Sequence, residues 1–337
     1  MTSIAVIGSG AVGSYYGAML ARAGHDVRFL MRRDYDAVRA NGLDIRSPRG
    51  NFQLTDVDCR RSSAEIGPVD WVICSLKTTM LSAARDLVTP VLTPNTRVLA
   101  LMNGLGIEDA FAEFVAPARV FGGMAFVGIN RGEPGVVHHL EYGRVSIGHL
   151  GDDPAELDTL RALLESGDIE VAVAPNLRYA RWEKLCWNVP FNGLSVAAGG
   201  IGTASIMGDP ELCATAERVM REVVRIANVD LAHAGSSARL DEKDIVDRLF
   251  AQTGTMGDYR TSMAIDFVNN NRLEVERIHG EVSRCARTLG VPAASIETLY
   301  ALVHAADLRV AGTLQPFTPE DTAAPPALAA VPRDRNV

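Results

Sequence analysis

SIAVIGSGAVGSYYGAMLARAG, residues 3–24, decides the fold. Its first five residues form a short run rich in β-branched types, its middle is GSGAVG, and apolar side chains then recur at helical spacing until Gly24 supplies a stop. A strand running into a glycine turn that opens a helix is a dinucleotide-binding arrangement: Gly8 permits the tight turn, Gly10 lets backbone approach a pyrophosphate, and Gly13 lets the helix pack closely on the strand. Ser9, Ala11 and Val12 complete the loop, and amide groups at the new helix N-terminus face the phosphates. The glycine pattern alone is weak evidence, since a glycine-rich turn need serve no ligand. Here a second strand, HDVRFLMRRD (25–34), follows directly, as the arrangement requires.

The end of that second strand separates two cofactors. An NAD site usually places an acid there for the ribose hydroxyls, whereas Met31, Arg32 and Arg33 precede the first acid, Asp34. A guanidinium can grip a 2′-phosphate through paired bonds, so NADP is favoured and Arg32 is the candidate ligand. The competing reading leaves both arginines solvated and gives Asp34 the ribose. Two more buried-strand patterns, DWVICSLK (70–77) and RVLALMNGLG (97–106), end at Lys77 and Asn103. Ligands of open α/β sheets sit beyond such ends, which makes both residues candidate contacts. The plainer alternatives are a strand-end charge and an Asn-Gly turn.

At 337 residues and 47% hydrophobic, the chain exceeds the size at which single cores divide, so two domains are expected. A net charge of −8 and the lack of a basic run argue against nucleic acid. No apolar run approaches the ~18 residues of a membrane span. Five well-separated cysteines read as reduced thiols, and with no cleavable leader pattern the expected location is the cytoplasm. Residues 122–148 read as strand; His138 and His139 are neighbours there, so they point to opposite faces and no metal is expected. After Pro175 the pattern turns helical, with helices expected near 178–198, 209–234, 241–252, 259–270, 273–289 and 293–310. The tail from Gly312, rich in proline and alanine, reads as disordered.

Among 33 basic residues only Lys77, Lys184 and Lys243 are lysines. Lys184 stands in RWEKLCWNVPFN (181–192), an apolar segment in which Asn188 and Asn192 follow at intervals of four. Such spacing draws the three along one helix face, a polar line about 12 Å long. Burial lowers a lysine's pKa toward neutrality, which suits a proton donor. The alternative is that Lys184 pairs with Glu183 while the asparagines satisfy nearby backbone. Pro190 should bend this helix, free the Cys186 carbonyl and rotate Asn192 off the line.

GSGAVG, SLK at 75–77, MNGLG at 102–106, WEKLCWN and SMAIDFVNNNRLEVERIHG (262–280), taken in order, resemble the ketopantoate reductase (2-dehydropantoate 2-reductase) family over nearly the whole chain. The resemblance implies a Rossmann-type doubly wound NADP-binding domain at 1–175, an all-helical substrate domain similar to the C-terminal domain of 6-phosphogluconate dehydrogenase at 176–312, and a tail at 313–337. It implies NADPH-dependent reduction of a 2-keto acid to a 2-hydroxy acid, 2-dehydropantoate to (R)-pantoate on the way to pantothenate; separately, the apolar character of the C-terminal helical domain is compatible with a homodimer. By the same resemblance Lys184 protonates the keto oxygen, and Asn188 and Asn192 bind substrate. Asn103 lies between substrate and nicotinamide, Ser262 holds the carboxylate, Glu274 bonds the ligand hydroxyl and helps set the lysine's charge, and Arg32 and Lys77 bind cofactor phosphate and ribose. The chain departs from the family pattern at Glu276 and His279, where an aspartate and an asparagine are usual, and at Pro190 and Gly193. Two other readings fit K-x-x-x-N after a glycine turn: a β-hydroxyacid dehydrogenase acting on another substrate, and a non-catalytic NADP-binding paralogue.

Overall fold

The structure, a computed structural model, describes residues 1–315. The expected disordered tail falls almost wholly outside the described residues. Ten strands, β1 (Ser3–Ile7), β2 (Asp26–Leu30), β3 (Leu43–Arg46), β4 (Phe52–Leu54), β5 (Asp58–Arg60), β6 (Trp71–Cys74), β7 (Arg97–Ala100), β8 (Val120–Arg131), β9 (Val136–His149) and β10 (Val171–Val173), make one sheet. Its order is β4-β3-β9-β8-β7-β6-β1-β2-β5, with β10 beside β9. From β5 through β8 all pairings are parallel. The chain leaves β1 for β2 on one side and later returns to its other side as β6, so a crevice opens beyond their carboxyl ends.

Residues 71–74 and 4–7 are buried throughout because helices cover both faces. On one face α1 (Ala11–Arg22) and α5 (Pro154–Ser166) pack Tyr16, Leu20, Leu160 and Leu164 against Val6, Phe29 and Phe121. On the other, α3 (Ala84–Val88) and α4 (Ile107–Ala112) pack Val88, Ile107 and Phe111 against Ile7 and Val98, while α2 (Tyr35–Asn41) lies against β5 and adds Val38 to the first of these clusters.

The helical half comprises α6 (Leu177–Ala197), α7 (Thr203–Gly208), α8 (Pro210–His233), α9 (Glu242–Thr255), α10 (Ser262–Val268), α11 (Glu281–Leu289) and α12 (Ala294–Val310). The helix expected at 259–270 is shorter. Thr261 caps it by accepting from Ala264 N at 3.2 Å, and Asn270 ends the segment in the left-handed region at φ 54°. The segment expected at 273–289 begins as one π-helical turn, Glu276–Gly280, before α11. Pro190 does not interrupt α6, which runs unbroken for 21 residues through the centre of this half.

Two glycines let α6 reach the sheet. Gly122 and Gly148 face each other across β8 and β9, and the start of α6 lies on them. A Cβ on Gly148 would fall 2.6 Å from Leu177 Cα, and one on Gly122 would strike Leu177 and Glu108. Backbone of a packed helix cannot yield as a side-chain tip can. Gly148→Ala is therefore expected to destabilise by about 2 kcal/mol or more, read by urea denaturation. Gly254→Ala, in open space on α9, should be neutral or stabilise by roughly 0.5–1 kcal/mol.

Candidate active site

The glycine loop meets the requirements of a dinucleotide cradle. Gly8 has φ 98°, and a Cβ there would lie 2.6 Å from Leu76 N, so the first turn runs tightly against the end of β6. Ser75 Oγ donates to the Gly8 carbonyl at 2.9 Å, and Ser9 Oγ donates to Leu30 O at 2.9 Å, locking the loop to two strand ends. Gly10 begins α1 with no side-chain cap, and the space around its Cβ position is open. Unbonded amides at the mouth of a 12-residue helix suit a pyrophosphate.

At the end of β2, Asp34 is already engaged by Arg33 at 3.1 Å and by Arg131 at 2.5 Å. Arg32 is exposed and has no ion-pair partner among the described residues. The alternative in which Asp34 serves the ribose therefore has to break two ion pairs, whereas Arg32 has no ion-pair partner to give up.

Lys77 and Lys184 occupy opposite electrostatic settings. Lys77 reaches across to the helical half, 2.8 Å from Asp266 Oδ2 and 3.7 Å from Glu274 Oε2. Burial works against its charge, but the two carboxylates outweigh that and raise its pKa. Burial likewise raises the pKa of Asp266, with Lys77 opposing. Glu274 is buried: its Oε1 accepts from Thr78 N at 2.8 Å, while Oε2 has no hydrogen-bond donor.

Lys184 has no carboxylate within ion-pair distance among the described residues. Glu183 is taken by Arg248 at 2.7 Å, which removes the alternative that these sequence neighbours pair. The ammonium lies 4.1 Å from the centre of the Phe126 ring and 5.9 Å from that of Trp187. Burial and then the positive charge of Arg144 push its pKa down to about 8. It opens on a pocket lined by Phe126, Val127, Tyr142, Trp187, Leu249, Gln252, Met256 and Tyr259. Burial, helped by Glu141 and Tyr142, pushes Tyr259 up to about 12, so its hydroxyl stays protonated and able to donate.

Of the other expected residues, Asn188 and Asn192 are buried on α6, and Asn192 Oδ1 has no hydrogen-bond partner. Ser262 opens α10 half-buried. Asn103 follows β7, and the next residue, Gly104 (φ 95°), runs so close to Arg277 that a Cβ would lie 2.6 Å from its carbonyl oxygen. Lys77 and Glu274 are thus brought together, whereas Lys184 and Glu274 do not pair. Lys184's titration is set by burial and Arg144, not by Glu274.

Several contributing residues escape a sequence reading. Arg181 and Glu108 form a fully buried ion pair, and the same guanidinium donates to the carbonyls of Met102 and Ala100 at the end of β7. Asp266 is the nearest partner of Lys77. Tyr142 takes φ 64° at a bulge in the β8/β9 hairpin and so lines the pocket. The only signal for Arg181 is an arginine amid apolar residues, three positions before Lys184. Of the two adjacent histidines, His139 is a clamp: it bonds the carbonyls of Glu141 at 3.2 Å and Tyr142 at 3.1 Å, and Ser47 at 2.8 Å, with burial lowering its pKa.

Residues 4–152 match the family model described as ketopantoate reductase PanE/ApbA, and residues 176–307 match its C-terminal model. The chain belongs to the ketopantoate reductase family. A 2-dehydropantoate 2-reductase of Nostoc sp. is 34% identical over 302 residues, spanning 88% of this chain and 92% of the relative. The crystal structure of 2-dehydropantoate 2-reductase from Geobacter metallireducens superposes with a TM-score of 0.86 at 37% identity, covering 90% of this chain and 99% of that one. That of the enzyme from Methylococcus capsulatus gives 0.80 at 34% identity, covering 91% and 97%. Membership carries an oxidoreductase on a Rossmann-like domain followed by a helical C-terminal domain. No described helix is long and apolar enough to cross a membrane.

Removing one member of the buried pair leaves a charge without a partner. Arg181→Met should cost about 3–5 kcal/mol in chemical denaturation. Adding Glu108→Leu to it should recover most of that loss, and a double variant no more stable than the single would show that the pairing is not what holds this junction.

Proposed function

We propose that this family member reduces 2-dehydropantoate to (R)-pantoate with NADPH. The observation that carries the reading is Lys184: an amine with no acid partner, facing an interdomain pocket and titrating near neutrality. When bound, the nicotinamide supplies hydride to the keto carbon. Residues 1–175 hold the dinucleotide, with Gly8, Ser9, Gly10, Ala11, Val12 and Gly13 around the pyrophosphate and Arg32 on the 2′-phosphate. Residues 176–312 supply Lys184, which donates its proton to the keto oxygen as negative charge develops there. Asn103, Asn188 and Asn192 orient the substrate, Ser262 bonds its carboxylate, and Glu274 Oε2, which lacks a donor, takes the ligand hydroxyl. Lys77, 3.7 Å from Glu274 Oε2, holds that carboxylate in place while contacting the cofactor ribose. Five free cysteines fit a cytoplasmic setting, and exposed Val229, Val268 and Leu302 on the helical half are apolar positions open to a homodimer.

A proton donor must carry its proton, and Lys184 is charged below about pH 8. Reduction should be insensitive to pH on the acid side of that value and decline about tenfold per unit above it. Lys184→Ala should lower kcat by roughly 100- to 10,000-fold on whichever 2-keto acid of a panel the native protein turns over. An unaltered rate in that variant would remove the lysine from the chemistry.

Arg32→Ala separates the cofactors. It should raise KM for NADPH by about tenfold or more and leave that for NADH nearly unchanged. Equal effects on the two would return the 2′-phosphate role to another group.

A further inference from the structure

The neighbourhood of Lys184 contains a second cation that the proposed reaction has not used. Arg144 on β9 stands directly opposite Phe126 on β8, so both side chains rise from the same face of the sheet. Its guanidinium carbon lies 5.3 Å from the centre of the Phe126 ring, the ring on which the Lys184 ammonium rests at 4.1 Å. Arg144 is exposed at the surface. Among the described residues it has neither a side-chain hydrogen bond nor an ion pair, unlike Arg97, Arg178, Arg181 and Arg272, each of which is bonded to a carboxylate. Two like charges share one aromatic ring, neither with an ion-pair partner among the described residues, and burial first and their repulsion second lower the pKa of Lys184.

The backbone that presents Arg144 is held by design. Tyr142 at φ 64° and Gly143 at φ 124° form a bulge just before it, and the bulge shifts the hairpin register at the pocket. His139 bonds the carbonyls of Glu141 and Tyr142, and Tyr16 Oη donates to the Gly143 carbonyl at 3.2 Å. A bulky residue in the left-handed region persists only where its surroundings determine it. Three carbonyls fixed by two buried side chains meet that condition.

We infer that Arg144 is the ionic anchor for the carboxylate of the 2-keto acid, placing the adjacent keto oxygen at Lys184 and the acyl chain among Phe126, Trp187 and Tyr259. The inference rests on the 2-keto acid reading and extends it: Ser262 contributes one neutral bond, and Arg144 contributes charge and a planar pair of donors that match a carboxylate. The substrate is accordingly required to be an anion at C1. The same two cations also repel any substrate whose group next to the carbonyl is itself positive.

The test compares a 2-keto acid with its methyl ester in native protein, Arg144→Met and Arg144→Lys. Arg144→Met should lower kcat/KM for the acid on the order of tenfold to a hundredfold, leave the ester and the KM for NADPH unchanged, and so abolish the preference for acid over ester. Arg144→Lys should recover part of it. An acid-to-ester ratio equal to that of the native protein overturns the inference, and so does a parallel rise in KM for NADPH, which would assign Arg144 to the cofactor. Oxamate, an unreducible mimic of a 2-keto acid, is titrated into the NADPH complex in parallel. Weaker oxamate binding by Arg144→Met than by native protein supports the anchor even where no keto acid is turned over; equal binding, or none to the native protein, overturns it.

Discussion

The arrangement of this molecule depends on where α6 meets the sheet, and the buried pair Arg181–Glu108 defines that meeting point. Removing two charges from water costs several kcal/mol per ion, and mutual attraction alone seldom recovers it. Here the guanidinium is satisfied on every side, by both Glu108 oxygens and by the carbonyls of Ala100 and Met102. Those carbonyls belong to the last turns of chain before Asn103, and Arg181 lies one helical turn before Lys184. One side chain therefore sets the distance between the residue expected at the nicotinamide and the residue expected to donate the proton. A hydrophobic contact could supply comparable stability but not that directional registration.

With α6 fixed, the two cleft lysines fall into separate roles for electrostatic reasons. Lys77 is surrounded by Asp266 and Glu274, so its proton is retained and it behaves as a permanent cation that bridges the halves. Lys184 has aromatic faces in place of acids, and Arg144 is the charge that, after burial, lowers its pKa. Cation–π attraction moderates the cost of its charge without abolishing it. For the proposed proton donor, such a setting is better than a carboxylate cage, because the proton is more readily given up. Had Glu274 faced Lys184, the pair would have stabilised the ammonium and weakened it as an acid.

The parts legible in the sequence were those governed by local pattern. GSGAVG needed only its flanking strand and helix to be read, and the long helices declared themselves by period, because a helix buried along one face repeats that face in the chain. The limits lay where distant segments decide. Glu274 is placed by Thr78, 196 residues away in the chain, and Arg181 by Glu108, 73 away. No local pattern signals a left-handed residue at Tyr142, since the bulge is clamped by His139 earlier on the same strand and by Tyr16 on a distant helix. The histidine pair shows the converse: adjacency argued against a shared ion, but the bond from His139 to the carbonyls following it could not be anticipated.

Three of the four positions at which the chain departs from the family pattern, Pro190, Gly193 and His279, prove to be neighbours, while Glu276 is exposed and bonded to Arg284 and Tyr300. His279 Nε2 bonds the Val189 carbonyl at 2.9 Å, just before Pro190, and a Cβ on Gly193 would lie 2.7 Å from that same ring nitrogen. Burial pushes His279 down to about 4, so it is neutral and must carry its proton on Nε2 to donate there, which leaves Nδ1 unbonded. A proline weakens one turn of α6 by withholding an amide, and the imidazole adds a donor at the adjacent carbonyl from the π-helical turn. Gly193 supplies the room that an imidazole, larger than an asparagine side chain, requires. These substitutions compensate one another as a packing unit against α12, where Leu299 also touches Gly193. None of them lines the pocket at Lys184. These three departures therefore bear on how α6 is braced, and they lie apart from the wall of Phe126, Tyr142, Trp187 and Tyr259 beside Lys184.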